Sequence, residues 1–68
     1  MTQGAQLIQA IRKAGRRGMT YVEMECLRIS GCPWRRLSEP AAESALRPGE
    51  RLERGERDGL VVFRVVRA

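Results

Sequence analysis

The dipeptide Asp58-Gly59, close to the end of the chain, restricts the fold more than any other feature of the sequence. Asp-Gly favours positive φ at two successive residues, which a two-residue type I′ hairpin turn requires. The flanking stretches 51–54 and 60–66 have strand character, the second because it is rich in β-branched residues. We therefore predict an antiparallel hairpin over about 50–67. The turn also fixes the register, with the expected pairs Arg57–Leu60, Leu52–Val65 and Glu53–Arg64.

The first segment, 3–14, has the periodicity of an amphipathic helix. Its small and apolar positions fall on one face: Gly4, Leu7, Ile8, Ile11 and Ala14. Gly15 follows the last of them and is a typical residue just past a helix end. This pattern predicts a helix over 3–14.

A second helix is predicted over 21–28 because Thr20 and Glu23 match the S/T-x-x-E capping box. In that box the threonine side chain accepts from the Glu23 amide, and the glutamate reaches back to the start of the helix. Met19 and Met24 occupy the two positions of a hydrophobic staple around the cap. The candidate buried positions of this helix are Val22, Cys26 and Leu27.

A third helix is expected over 33–38, since Pro33 suits the first helical position directly after Cys32. Inside a helix Pro40 would clash with the preceding turn, so we expect a kink there. A short helical continuation over 41–46 would follow the kink. One face of such a helix carries Trp34, Leu37 and Ala41, and the tryptophan is therefore predicted to lie in the core.

The length of 68 residues suits one small domain, 1–68, with one modest core. No stretch of about 18 apolar residues is present that could span a membrane. The start of the sequence also lacks the basic and apolar stretches of a secretory signal. We therefore expect a single α+β domain in the cytoplasm.

The residue inventory disfavours catalysis and metal binding. The chain has no histidine, which is the commonest acid–base residue and metal ligand. Cys26 and Cys32 lack the spacing and the partners of a zinc site, and in a reducing compartment they are expected to be buried thiols rather than a disulfide. No Gly-rich phosphate loop is present. We predict no enzymatic activity, no metal and no cofactor.

The charge of the chain favours a polyanionic partner. Thirteen Lys and Arg residues against eight Asp and Glu residues give a net charge of +5. All of the basic residues except Lys13 are arginine. Arginine reads phosphates and guanine edges well because its planar fork binds them bidentately. An arginine bias also follows from a GC-rich genome, which is the alternative explanation.

The predicted order of helix, helix, tight turn, helix and hairpin resembles the winged helix-turn-helix family over about residues 5–67. The matching stretches are Gly18-Met19-Thr20, Ile29-Ser30-Gly31-Cys32 and the hairpin tip Arg54–Gly59. With the sequence Cys-Pro-Trp-Arg-Arg, they look like the small winged-helix proteins of bacteriophages and prophages. The resemblance implies a three-helix core followed by a β-hairpin wing, with Gly18-Met19-Thr20 as a short third strand. It also implies binding to double-stranded DNA by a small transcriptional regulator or architectural factor in the bacterial host cytoplasm.

Eight basic residues are candidates for contact with DNA. In this family the third helix enters the major groove, so Arg35 and Arg36 near its start are expected to read bases. The end of the first helix and the following loop would bind phosphates, and the wing tip would reach the backbone or the minor groove. The residues in these places are Arg12, Lys13, Arg16, Arg17, Arg54 and Arg57. The alternative for all of them is a solvated surface, and Arg47 and Arg51 are further candidates by charge alone.

Other partners are compatible with the same fold. A single module buries only about 600–1,000 Å² on DNA, so we expect a homodimer or cooperative assembly. A second class of function is a protein-interaction module that binds and inhibits a host protein, which the balanced charge of 33–46 favours. RNA binding is a weaker interpretation, because the only aromatic residues are Tyr21, Trp34 and Phe63 and at least two are expected to be buried. Tyr21 would either bond a phosphate or cover the edge of the core.

Overall fold

The computed structural model describes residues 2–29 and 31–67, which fold into four α-helices and a three-stranded antiparallel sheet. The elements in chain order are α1 (Gln3–Ala14), a short 3-10 helix (Gly15–Arg17), β1 (Met19–Thr20), α2 (Tyr21–Cys26), α3 (Pro33–Leu37), α4 (Pro40–Ser44), β2 (Glu50–Arg57) and β3 (Leu60–Arg67). The α+β class is confirmed, but the described residues form four α-helices instead of the expected three. None of the helices formed by these residues combines the length and the apolar character needed to cross a lipid bilayer.

α1 begins and ends at the residues that its periodicity predicts. Thr2 caps it, because the Thr2 hydroxyl oxygen accepts a hydrogen bond from the Ala5 N–H at 3.1 Å. Gly15 follows the helix with a positive φ of 65°. The buried residues of α1 are Gly4, Leu7, Ile8 and Ile11, which confirms the predicted face apart from the half-buried Ala14.

The capping box at the start of α2 is confirmed. The Glu23 N–H donates to the Thr20 hydroxyl oxygen at 3.1 Å, and the Thr20 N–H donates to Glu23 Oε1 at 3.0 Å. Met24 is fully buried and Met19 packs against the same core, as the staple requires. These contacts fix the direction in which α2 enters the core.

The buried side of α2 differs from the prediction. Val22 and Leu27 are 50% and 40% exposed, and Cys26 is exposed as well. The staple turns Met24 to the core, and a residue two positions earlier in a helix points to the opposite side. α2 also ends at Cys26 instead of residue 28, and Arg28 has a left-handed φ of 55°. Leu27 therefore lies in a turn rather than on a helix face.

The third helical segment is divided into α3 and α4. Glu39 lies between them in an extended conformation, with φ −83° and ψ 152°. Proline disfavours helical geometry in the residue before it, and Pro40 is well suited to the first position of a new helix. The predicted continuation over 41–46 is therefore a separate fourth helix, Pro40–Ser44.

The sheet has the strand order β1-β3-β2. Asp58 and Gly59 have φ of 52° and 78°, as a type I′ turn requires. The predicted register is confirmed, with the pairs Arg57–Leu60, Leu52–Val65 and Glu53–Arg64. β1 pairs with β3 through Met19–Phe63 and Thr20–Val62, so the third strand implied by the resemblance is present.

The core lies between the helices and one face of the sheet. Its buried members are Leu7, Ile8, Ile11, Met24, Leu37 and Ala42. The sheet contributes half-buried side chains to it, among them Met19, Leu52, Phe63 and Val65. Because side chains alternate along a strand, the other, outward face of the hairpin carries Arg51, Glu53 and Arg64.

Candidate nucleic-acid interface

A cleft of about 610 Å³ lies between α3 and the turn end of the hairpin. Arg54 is directly opposite Phe63 in the hairpin, so both side chains project from the face of the sheet that meets the helices. The described residues that line this cleft are Tyr21, Trp34, Ser38, Arg54, Gly59, Leu60, Val61 and Phe63. We call this feature the α3–hairpin cleft.

The side chains of α3 point in distinct directions. Pro33 and Leu37 are buried, whereas Trp34 and Ser38 line the α3–hairpin cleft. Arg35 is on the side opposite the buried pair and is exposed to solvent. Its guanidinium forms no ion pair with any residue in the described part of the chain. Of the two adjacent arginines predicted to read bases, Arg35 is therefore the available one.

Arg36 is engaged by a neighbouring carboxylate. Its Nη1 donates to both oxygens of Glu39, at 3.0 and 3.1 Å. Its Nε is buried and has no hydrogen-bond partner among the described residues. Together with Gly4 and Pro40, Arg36 borders a shallow groove between α1 and α4. Its charge is thus compensated on a side of α3 away from the α3–hairpin cleft.

Trp34 lies outside the core, which corrects the prediction from the helical wheel. Its exposed fraction is 51%. The wheel placed Leu37 and Ala41 on one face by assuming a single helix, but the chain changes direction at Pro40. As a result Ala42, rather than Ala41, is fully buried after the kink. The indole is left at the wall of the α3–hairpin cleft.

Tyr21 covers the edge of the core and lines the same cleft. The Glu25 carboxylate, one turn later on α2, raises the pKa of the Tyr21 hydroxyl by accepting a hydrogen bond from it, and partial desolvation adds to the rise. The Trp34 side chain offsets part of this effect. The hydroxyl therefore remains protonated at neutral pH.

Arg12 joins α1 to the first residue of β2. Its Nε and Nη2 donate to the two oxygens of Glu50 at 3.1 and 2.7 Å, and Nη2 also donates to the Ala45 carbonyl at 3.1 Å. The two side chains are only 23% and 7% exposed. Arg12, together with the Arg47 N–H, lowers the pKa of Glu50 to about 2. This geometry gives Arg12 a structural role in joining α1 to β2.

The remaining basic residues at the end of α1 and in the 3-10 helix that follows it project into solvent. Lys13 and Arg16 are exposed and form no ion pair within the described part of the chain. The Arg17 side chain is 70% exposed and its Nη2 lies 3.5 Å from Glu23 Oε2. Such an exposed pair contributes little to stability and leaves the guanidinium accessible.

The two predicted wing-tip arginines have different surroundings. Arg54 is exposed and lines the α3–hairpin cleft. Arg57 instead donates to the Arg17 carbonyl at 3.1 Å and to Glu23 Oε1 at 3.4 Å. The hydrogen bond from the Thr20 N–H is the largest cause of the lowered pKa of Glu23, and the charges of Arg17 and Arg57 lower it further. Arg57 therefore ties the hairpin tip to the start of α2.

The outward face of the hairpin carries a group of oppositely charged side chains. Arg64 Nη2 donates to Glu53 Oε1 at 3.1 Å, and Arg51 Nη2 lies 3.6 Å from Glu53 Oε2. The Arg51 side chain is 66% exposed. This face and the α3–hairpin cleft are on opposite sides of the sheet, because Arg51 and Arg54 alternate along β2.

The cysteine prediction is also corrected, since both Cys26 and Cys32 are exposed rather than buried. Each lies at a helix terminus, where the side chain does not face the core. Within residues 2–29 and 31–67, no three potential metal ligands lie close enough together to hold an ion. Ser30, in the predicted turn between the second and third helices, lies outside the described residues. Comparisons with protein families, with curated proteins and with solved structures gave no match.

Proposed function

We propose that the chain is a winged helix-turn-helix domain that binds double-stranded DNA, as a small regulator or architectural factor encoded by a phage or prophage. The proposal is supported by the element order, by the strand Met19–Thr20 beside the hairpin, and by the net charge of +5. In this proposal α3 enters the major groove and the hairpin is the wing.

The observation that carries the proposal is the exposed Arg35, which follows Trp34 on the outward side of α3 and has no ion-pair partner among the described residues. A guanidinium at the start of a recognition helix can bind guanine O6 and N7 bidentately. Arg54, on the hairpin side of the cleft, would contact the sugar–phosphate backbone, and Lys13 and Arg16 would contact phosphates further along. Arg12, Arg36 and Arg57 are omitted from this set because carboxylates already hold their guanidinium groups.

The proposal is tested by selecting duplexes from a randomised pool and measuring affinities by fluorescence anisotropy. We expect Arg35→Ala to lose about 1–3 kcal/mol of binding free energy on the preferred duplex and to relax the preference at one base pair. Arg51→Ala removes the same charge from the opposite sheet face and is the matched control. Equal effects of the two substitutions would contradict base reading by α3, and no binding by the unaltered protein would contradict the whole proposal.

A protein-interaction module on the same fold is the second candidate function. The exposed fractions of Trp34 and Leu60, 51% and 44%, favour it, because exposed apolar groups near one another often mark a protein contact. The compensated charge of Arg36 favours it as well. The test is a pull-down from nuclease-treated host lysate with unaltered protein and Arg51→Ala and Trp34→Ala variants. A stoichiometric partner that survives nuclease and is lost only with Trp34→Ala would favour this function over DNA binding.

A further inference from the structure

The α3–hairpin cleft is large enough to hold an aromatic ring, and most of the residues that line it are apolar or aromatic. Its volume of about 610 Å³ is within the ordinary range for small-ligand sites. The half-exposed indole of Trp34 faces it from α3, and the residues Leu60 and Val61 line it from the hairpin. Because Trp34 is half exposed, it buries less apolar area in the core of this small protein than a fully buried tryptophan would.

The positive charges near the cleft favour an anionic ligand. Arg54 lines the cleft, and Arg35 is the next residue after Trp34 on the outward side of α3. Neither guanidinium pairs with a carboxylate in the described part of the chain. None of the described residues that line the cleft is acidic. A ligand that combines a flat ring with anionic groups complements this apolar lining and the nearby arginines. A nucleotide of a DNA strand, with its base and phosphates, is a ligand of this kind.

We propose that the α3–hairpin cleft binds one unpaired base of DNA against the face of Trp34, with Arg54 contacting the adjoining phosphate and Arg35 remaining with the paired bases beside it. This inference rests on the proposed function and narrows its substrate to duplexes that contain an unstacked nucleotide. Stacking on an aromatic ring tolerates any base, because every base presents a π-face. The Ser38 hydroxyl, which donates to the Trp34 carbonyl at 3.2 Å, keeps its lone pairs available to the edge of the base.

The chain provides its own reporter for this site, since Trp34 is its single tryptophan. The probes are a fully paired duplex and the same duplex with one unpaired adenine. Anisotropy of a terminal label gives the affinity, and tryptophan emission reports stacking. We expect the duplex with the unpaired adenine to bind roughly fivefold to a hundredfold tighter and to quench the emission, while the paired duplex leaves the emission largely unchanged.

Two substitutions of the tryptophan test its role. Trp34→Ala should bind both duplexes alike, and Trp34→Phe should retain part of the preference because it keeps an aromatic face. Leu27→Ala removes a comparably exposed apolar side chain outside the cleft and is the matched control. Thermal unfolding of each variant by circular dichroism establishes that the fold is intact. A preference for the unpaired adenine that survives in folded Trp34→Ala would overturn the inference.

The outcomes separate this inference from the proposed function. Equal affinity for the two duplexes without quenching overturns the base site and leaves duplex binding standing. Binding of neither duplex overturns both. Quenching with a preference for the unpaired adenine, lost in Trp34→Ala and kept in Leu27→Ala, supports both. Quenching by an added host protein, with neither duplex bound, overturns both in favour of the protein-interaction function.

Discussion

Individual arginines of this chain have separate roles although they are chemically identical. Arg12 is held by Glu50 and a carbonyl, whereas Arg35 faces solvent. The difference follows from whether a carboxylate from another element lies within reach. At the level of single residues, position in the fold therefore decides which cations stabilise the protein and which are available to a partner.

The contact of Arg12 with Glu50 predicts a stability effect. Arg12→Ala leaves the mostly buried Glu50 carboxylate without its main partner. Hydrogen bonds to charged groups contribute about 1.5–3 kcal/mol, and we expect a decrease of that size in the free energy of unfolding. Urea denaturation followed by circular dichroism measures it. Lys13→Ala, next along the same helix, should change stability by less than about 0.5 kcal/mol. Similar losses in the two variants would contradict the structural role of Arg12.

Glu50 also predicts how stability depends on pH. Its pKa is lowered from 4.5 to about 2 in the folded protein, so the deprotonated form favours folding. Its contribution is complete above about pH 4.5 and is lost as the pH falls towards 2. We expect Glu50→Gln to flatten this part of the profile, measured by urea unfolding at successive pH values. The lowered pKa of Glu23 leaves a smaller residual dependence in the same direction. A Glu50→Gln profile as steep as that of the unaltered protein would disprove the assignment.

At the scale of elements, the close approach of α1 to the junction of α3 and α4 depends on Gly4. A Cβ atom at this position would lie 3.1 Å from both the Ala42 nitrogen and the Arg36 carbonyl oxygen. Both neighbours are backbone atoms, which cannot move aside as a flexible side chain can. α1 is thereby held against the kink at Pro40.

This contact predicts that a larger residue at position 4 separates the helices. We expect Gly4→Val to lower the free energy of unfolding by about 1–3 kcal/mol more than Gln9→Val does. Gln9 is an exposed residue of the same helix, so that variant measures the effect of a valine in α1 away from the contact. Thermal or urea unfolding of the two variants measures the difference. Equal losses would show that the packing at Gly4 is loose.

Sequence reasoning succeeded where a local contact decides the geometry. The Asp58-Gly59 turn sets the register of the hairpin, and the box of Thr20 and Glu23 sets the start of α2. Both motifs depend on contacts between residues close in sequence, so they can be recognised in the sequence without knowledge of the rest of the fold. The same holds for α1, whose long apolar face fixes its buried side.

Sequence reasoning failed where a short helix takes its orientation from its neighbours. α2 and α3 have six and five residues, too few for periodicity to identify the buried side. Because Met24 is buried, Val22 on the opposite side of α2 is exposed to solvent. Because the chain kinks at Pro40, the Trp34 side chain lies at the α3–hairpin cleft and not in the core. The candidate site therefore differs from the sequence prediction, because it includes Trp34, which the helical pattern places in the core.

At the scale of the whole molecule, the proposed binding to DNA predicts a steep dependence on salt. Each phosphate contact releases counterions and adds about 0.9 to the slope of log affinity against log salt. Arg16→Ala should therefore weaken binding to all sequences alike and reduce the slope by about one contact. Arg51→Ala, on the outward sheet face, should leave the slope nearly unchanged. The measurement is anisotropy at several salt concentrations, and a flat response in the unaltered protein would count against phosphate contact.

The position of β2 at the outside of the sheet has a consequence for the protein at high concentration. β2 is an edge strand of eight residues, and six of them are charged, with both signs interspersed. A long exposed edge strand can form backbone hydrogen bonds with a strand of another molecule. Charged side chains on the strand oppose this pairing, because they would lose their hydration in the aggregate. The outer edge of the hairpin can thus remain without a neighbouring strand and still resist aggregation between molecules.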